Sequence, residues 1–164
     1  MSNELPENSN MSNNVNPIPD FYQGAVPYLN VKNGSQAVEF YKNAFGADEK
    51  VKIWRSDGKL AHAEFAIGQA TFMLRDEIPD MNFRSPKSVG GSPTETLIYV
   101  KDVNAFVERA EAAGAKVIAP VSEQFHGDNM AILEDPFGHI WFFGTRILDL
   151  SPEELKERAK EWGI

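Results

Sequence analysis

The chain repeats itself. Setting Val31 on Val100, 69 positions later, also sets Lys32 on Lys101, Val38 on Val107 and Glu39 on Glu108. A one-residue adjustment then brings FGA, Phe45 to Ala47, onto AGA, Ala113 to Ala115. Each half reads as strand, helix and three strands. One such unit has a sheet face it cannot bury alone, so two halves must pair. With 42% hydrophobic residues, 164 residues suffice for one domain with a real core.

In the first half, Val26–Val31 alternates, with Leu29 and Val31 on one face and Val26, Tyr28 and Asn30 on the other. Ala37, Val38, Tyr41, Ala44 and Phe45 follow at helical spacing, with Ser35 a candidate N-cap and Gly46 a natural C-cap. DEKVKIWRS, LAHAEFAIG and ATFMLRD read as strands. Pro79, Pro86, Pro93 and the Gly90–Gly91 pair argue against any regular element between 76 and 94. The second half supplies TLIYV, the helix VNAFVERAEAAGA closed by Gly114, then AKVIAP, NMAILED and HIWFFGT. SPEELKERAKEW ends the chain as a helix with Ser151 as N-cap, Pro152 at the first position and Glu154 completing a capping box. Its apolar stripe is Leu155, Ala159 and Trp162, and Glu154–Arg158 is a favourable pair.

Residues 1–22, rich in Asn and Ser with three prolines, read as a disordered or loosely docked tail. The single domain is then 23–164: module one at 24–76, a connection at 77–94, module two at 95–148 and the final helix at 151–162. A net charge of -8 argues against nucleic acid and against an anionic membrane surface. Cysteine is absent, which removes disulfides, thiolate nucleophiles and cysteine metal sites. The start has no apolar segment resembling a signal peptide, and no run is long enough to cross a bilayer, so a cytoplasmic setting is expected.

Nucleophile-elbow and phosphate-loop patterns are missing. What remains is HAE: His62 and Glu64 two residues apart, on one face of a strand. Three readings stand: a satisfied polar pair, an acid/base pair with Glu64 as base and His62 as donor, or a two-ligand metal edge completed by His126. Arg75, if it faces an apolar interior, needs a carboxylate from Glu64 or an anionic ligand; otherwise it is a surface arginine. In EDPFGHIWFF, Glu134 to Phe143, Asp135, Pro136 and Gly138 read as turn chemistry, and His139 as a turn cap.

Together PYLNV, VEFYKNAFGA, DGKLAHAEFAIG, FMLRDE, YVKDVNAFVERAEAAGAKVIAPV, EQFHGD, DPFGHIW and the SPEEL helix resemble the vicinal oxygen chelate superfamily, and within it the PhnB-like branch. The resemblance covers about residues 24 to 160. It implies an α+β fold in which two βαβββ modules form an open cup-shaped sheet with helices outside. The superfamily's metal ligands, carried over, fall on Val26, Met73, Glu95 and Phe142. Valine and phenylalanine have no donor atom and the methionine thioether is soft and weak, so the usual metal centre is expected to be absent. The alternative is one divalent metal such as zinc on His62, Glu64, Glu95 and His126.

Strand alternation and this resemblance give the expected cup lining: Tyr28, Asn30, Trp54, His62, Glu64, Met73, Arg75, Tyr99 and Phe142. Phe125 and His126 overhang from their loop, and Met81 and Phe83 from the long connection. Such a lining suits a small organic ligand. The leading expectation is therefore a glyoxalase/bleomycin-resistance-like binder of a small molecule, acting as a homodimer. The alternatives are a lyase or isomerase using His62 and Glu64, with or without a metal, and a non-catalytic structural or interaction protein with a filled cup.

Overall fold

A computed structural model describes residues 16–20, 22 and 24–164; the rest of the expected tail lies outside the described residues. Module one runs β1 (Tyr28–Val31), α1 (Gly34–Phe45), β2 (Asp48–Trp54), β3 (Leu60–Ile67) and β4 (Ala70–Asp76). Module two repeats it as β5 (Glu95–Tyr99), α3 (Val103–Ala112), β6 (Lys116–Glu123), β7 (Asp128–Glu134) and β8 (Ile140–Arg146). Two four-stranded sheets result, in the orders β1-β4-β3-β2 and β5-β8-β7-β6. In each, the first strand pairs parallel to the last and the other neighbours are antiparallel. The inferred repeat is present element by element.

Each sheet buries one face. In module one that face carries Leu29, Val31, Ala63, Phe65, Phe72 and Leu74, packed beneath α1. In module two it carries Ile98, Ala131, Leu133, Trp141 and Phe143, packed beneath α3. The two helix-bearing faces merge into one core. Trp141 meets Tyr41, Phe45 and Phe72 edge-on at 5.2–5.8 Å between ring centroids, and Phe45 touches Phe106 and Phe143. Aromatic pairs in this geometry contribute beyond their buried area. The opposite face of each sheet stays open.

The start of α1 departs from expectation. Asn33, not Ser35, is the N-cap, its side chain accepting from the Gln36 amide at 3.1 Å. The cause is tertiary. Buried Asp76, at the end of β4, accepts the Gly34 amide at 2.8 Å and the Leu60 amide at 2.6 Å, fixing the helix start against β3. Gly46 closes the helix in the left-handed conformation, as the sequence suggests. β1 is shorter than the Val26–Val31 strand expected, and β6 runs on past AKVIAP to Glu123.

The connection is also more regular than its prolines suggest. It holds a 3-10 turn, Pro79–Met81, and a four-residue helix α2, Pro86–Val89. Both prolines sit at helix starts, where the missing N–H costs nothing, and Gly90 caps α2 in the left-handed region. Glu77 fastens this segment by accepting the Ser85 amide, the Ser85 hydroxyl and the Ser88 hydroxyl at 2.7–2.9 Å.

α4, Pro152–Glu161, forms with the expected capping box. Its apolar stripe is covered only in part, at Leu155 and Ala159. No residue of α4 is buried, and Trp162 is 48% exposed. Glu154 is occupied by the cap, so Arg158 does not pair with it. Arg158 instead reaches the Phe125 carbonyl at 2.9 Å and Glu123 at 2.8 Å, tying the helix to the 124–127 loop.

Candidate functional site

The open face of module one is set by cross-strand register. Tyr28 is opposite Met73, which is opposite Glu64, which is opposite Val51. One step along, Asn30 is opposite Arg75 and His62 is opposite Ile53. Tyr28, Asn30, His62, Glu64, Met73 and Arg75 therefore share this face, as the alternation in their strands indicates. Trp54 does not. A register shift follows Ile53, and Trp54 pairs with core residue Leu60, so Val51 and Ile53 take the places expected of it.

A hydrogen-bonded chain crosses this face. The Tyr28 hydroxyl lies 2.8 Å from His62 Nδ1, and His62 Nε2 lies 2.9 Å from Glu64 Oε1. Hydrogen bonds from His62 and then from Tyr22 hold the Glu64 carboxyl below the usual carboxylate range. An ionised Glu64 only accepts, so Nε2–H donates to it, and in a neutral ring Nδ1 receives the Tyr28 O–H. Burial, reinforced by Glu64, pushes Tyr22 up to about 12. Tyr22 falls within the segment expected to be a tail, and no periodicity could have brought it to Glu64. The arrangement is carboxylate, imidazole, hydroxyl, in which only Tyr28 stands at an open end. It can hold a proton at the Tyr28 oxygen and pass it to His62.

Arg75 lies between two rings, its Cζ 4.4 Å from the Tyr28 centroid and 3.8 Å from that of Phe83. Its Nε donates to Asn30 Oδ1 at 2.9 Å. Beside it, a cleft of about 450 Å3 runs between the modules, lined by Tyr28, Asn30, Phe83, Arg84, Thr96 and His139 among others. This volume is in the range of small-molecule sites. Met81 is 62% exposed and contributes nothing to that lining.

Module two gathers a second, separate polar set. The Tyr99 hydroxyl donates to Asp128 Oδ2, and His126 Nδ1 lies 3.0 Å from the same oxygen. The hydrogen bond to Asp128, with burial, raises the Tyr99 pKa. Tyr99 reaches across because Gly144, its register partner, has no side chain; a Cβ there would touch the Tyr99 ring at 3.4 Å. Phe125 stacks edge-on against His126. Phe142 is opposite Leu97 on the same sheet, and Leu97 was missed although it alternates with Tyr99. Among the described residues, neither polar set shares a hydrogen bond or ring contact with the other. The expected lining is thus divided between two sheets.

The superfamily's metal does not fit these residues. Met73 belongs to one sheet and Glu95 and Phe142 to the other, and of the four carried-over positions only Glu95 offers a hard donor. The alternative set fails on geometry too. His62 and Glu64 are bonded to each other, both nitrogens of His62 are engaged, and His126 is committed to Asp128. Among the described residues, no group of three or more histidine and acidic side chains is placed to hold an ion.

Asp135 is buried at the module junction and His139 is half-buried beside it. His139 Nε2 donates to the Asn30 carbonyl at 3.1 Å, and desolvation lowers its pKa against the opposing pull of Asp135 and that carbonyl. Asp135 does make the turn, Oδ1 accepting the Phe137 and His139 amides at 2.9 Å. Its other oxygen takes the Tyr41 hydroxyl and the Trp141 indole N–H, which turn chemistry alone does not anticipate.

The sequence profile of the Glyoxalase/Bleomycin resistance protein/Dioxygenase superfamily matches residues 22–143. The chain belongs to this superfamily. An uncharacterized member of the similar set, Rv0887c of Mycobacterium tuberculosis H37Rv, is 36% identical over 140 residues, 84% of this chain and 82% of its own. The solved Arabidopsis thaliana protein At5g48480 superposes with a TM-score of 0.59 at 28% identity, covering 74% of this chain and 98% of that one. TioX from Micromonospora sp. ML1 superposes at 0.60 with 22% identity, over 79% and 100% of the two chains. The fosfomycin resistance protein FosX of Listeria monocytogenes superposes at 0.57 with 15% identity, over 82% and 98%. These last two likenesses concern the superfamily fold alone.

Proposed function

We propose that this superfamily member binds a small organic molecule on the open face of module one, without the superfamily's metal centre. The observation that carries the reading is the Tyr28–His62–Glu64 chain, set on a half-exposed sheet face beside Arg75 and next to a cleft of ligand size. A structural face has no need of a polar relay ending in an accessible phenol. Apolar Val51, Ile53 and Met73 enclose the body of the ligand, and Tyr28 and Arg75 orient it. Tyr99, Phe125, His126 and Phe142 form a separate patch on module two, whose contribution to the cleft beside Tyr28 is Thr96, His139 and Ile140.

The protein acts as a homodimer in this reading. Leu97 and Tyr99 are 49% and 55% exposed on the open face of module two, an apolar surface that a second copy would cover. The setting is cytoplasmic; no helix among the described residues is long and apolar enough to cross a membrane. The quoted motifs resemble the PhnB-like branch.

A lyase or isomerase is the second reading, and the relay favours it. Tyr28 would exchange a proton with the substrate, backed by His62 and oriented by Glu64. Native mass spectrometry of freshly purified protein tests both readings by recording bound organic ligand, bound metal and subunit number together. An organic adduct on a metal-free dimer is expected. One tightly held metal per chain, or equal responses of wild type, Tyr28→Ala and Arg75→Ala in a metabolite thermal-shift screen, would overturn the site.

A further inference from the structure

We infer that the ligand of module one carries an oxyanion, in the first place a carboxylate, seated on the outer edge of Arg75. The inference rests on the proposed binding function and narrows its ligand class. Rings of Tyr28 and Phe83 cover both faces of the guanidinium, and Asn30 occupies Nε. Among the described residues, no contact occupies the edge formed by the two terminal nitrogens. That edge is the one a carboxylate, phosphonate or phosphate meets with two parallel hydrogen bonds.

The clamp is held in advance. Phe83 is fixed by its bridge to Ile78, closed by hydrogen bonds of 2.8 and 3.1 Å, and by Glu77 fastening the segment behind it. Burial alone would raise the Glu77 pKa, yet its bonds to Ser85 and Ser88 and the charge of Lys32 lower it, so the anchor is ionised. Little side-chain freedom is left to lose when a ligand arrives.

Among the described residues the cation has no counterion: no carboxylate lies within ion-pair distance of Arg75. Glu64, the carboxylate expected to meet it, is committed to His62 and Tyr22, Asp76 to the Gly34 and Leu60 amides, and Glu77 to Ser85 and Ser88. Nor does the fold require the arginine. The equivalent pair in module two, Tyr99 opposite Gly144, occupies the register of Asn30 opposite Arg75 with no charge at all. A half-desolvated guanidinium kept ordered and unneutralised is a receptor for an anion. Tyr28, Met73 and Ile53 beside it provide for an apolar body, so the ligand is a small organic acid.

Titration calorimetry on the full chain with phenylacetate, phenylphosphonate and phenylacetamide tests this. The two anions bind, more weakly as salt is raised, and the neutral amide binds about tenfold or more weakly. Arg75→Gln removes that preference while thermal unfolding shows the fold intact, and Arg75→Lys recovers only part of it. Phenylphosphonate tighter than phenylacetate assigns a tetrahedral head group; the reverse order assigns a carboxylate. Equal binding of acid and amide, or unchanged acid binding in Arg75→Gln, overturns the inference and leaves the small-molecule function standing. Silence from anionic and neutral probes alike overturns both.

Discussion

The Tyr41 hydroxyl donates a 2.6 Å hydrogen bond to Asp135 Oδ2, joining α1 of module one to the turn that launches β8 of module two, 94 residues later. Both groups are buried. Asp135 also accepts two backbone amides and the Trp141 indole, so one carboxylate satisfies four donors inside an aromatic core. Burial, and then Asp135, raise the Tyr41 pKa well above its ordinary value, so the phenol stays a donor. The two modules are locked here by polar chemistry as well as by packing.

Removing the two partners should therefore have unequal effects. Tyr41→Phe takes one charge-assisted bond from Asp135, which keeps its other three, and should cost about 1.5–3 kcal/mol. Asp135→Ala strands four donors, three of them buried, and should cost about 4 kcal/mol or more. Urea unfolding of both variants measures the difference; equal losses would count against the hub.

Gly34 should tolerate no side chain. A Cβ there would stand 2.4 Å from Leu60 Cβ and 2.9 Å from Asp76 Oδ2, both in rigid, buried surroundings. Gly34→Ala, usually favourable in a helix, is expected to destabilise by about 2–3 kcal/mol in chemical denaturation. A variant as stable as the parent would contradict the close approach of α1 to β3.

Stability should fall in two stages as pH is lowered. Desolvation lowers the folded pKa of His139, so the unfolded chain takes up a proton near pH 6.5 that the folded chain refuses. Its contribution is complete above that pH and is lost on descending through it, until the folded pKa is passed. Glu64 and Glu77 have lowered folded values, so their contributions are lost only below their ordinary pKa of 4.5. Thermal unfolding from pH 8 down to about pH 2.5 should show the first stage disappear in His139→Gln, with the second unchanged.

Arg158→Ala should loosen the His126 loop without unfolding the domain. It removes the bond to the Phe125 carbonyl and the half-exposed pair with Glu123, together about 1 kcal/mol. Hydrogen exchange at 124–127 should quicken while the sheets keep their protection. Unchanged exchange there would mean that α4 does not position the loop.

Sequence reasoning reached the module order, the sheet parity and the grouping of Tyr28, Asn30, His62, Glu64, Met73 and Arg75, because repetition and alternation are local signals. It misplaced Trp54 because a register shift between β2 and β3 resets the parity by an amount that only strand pairing determines. It also read the prolines of the connection as breakers, although two of them start short helical turns.

By itself, then, the sequence determined two βαβββ units, their buried faces and the polar residues of the open ones. Tertiary structure decided what those polar residues do. It spent Glu64 on His62 and Tyr22, placed Phe83 over Arg75, turned Arg158 from Glu154 to Phe125, and made Asp135 a junction between modules. The physical reason is that burial follows from period, whereas a hydrogen-bond partner follows from distance. Chain segments tens of residues apart acquire a distance only when the sheets have packed.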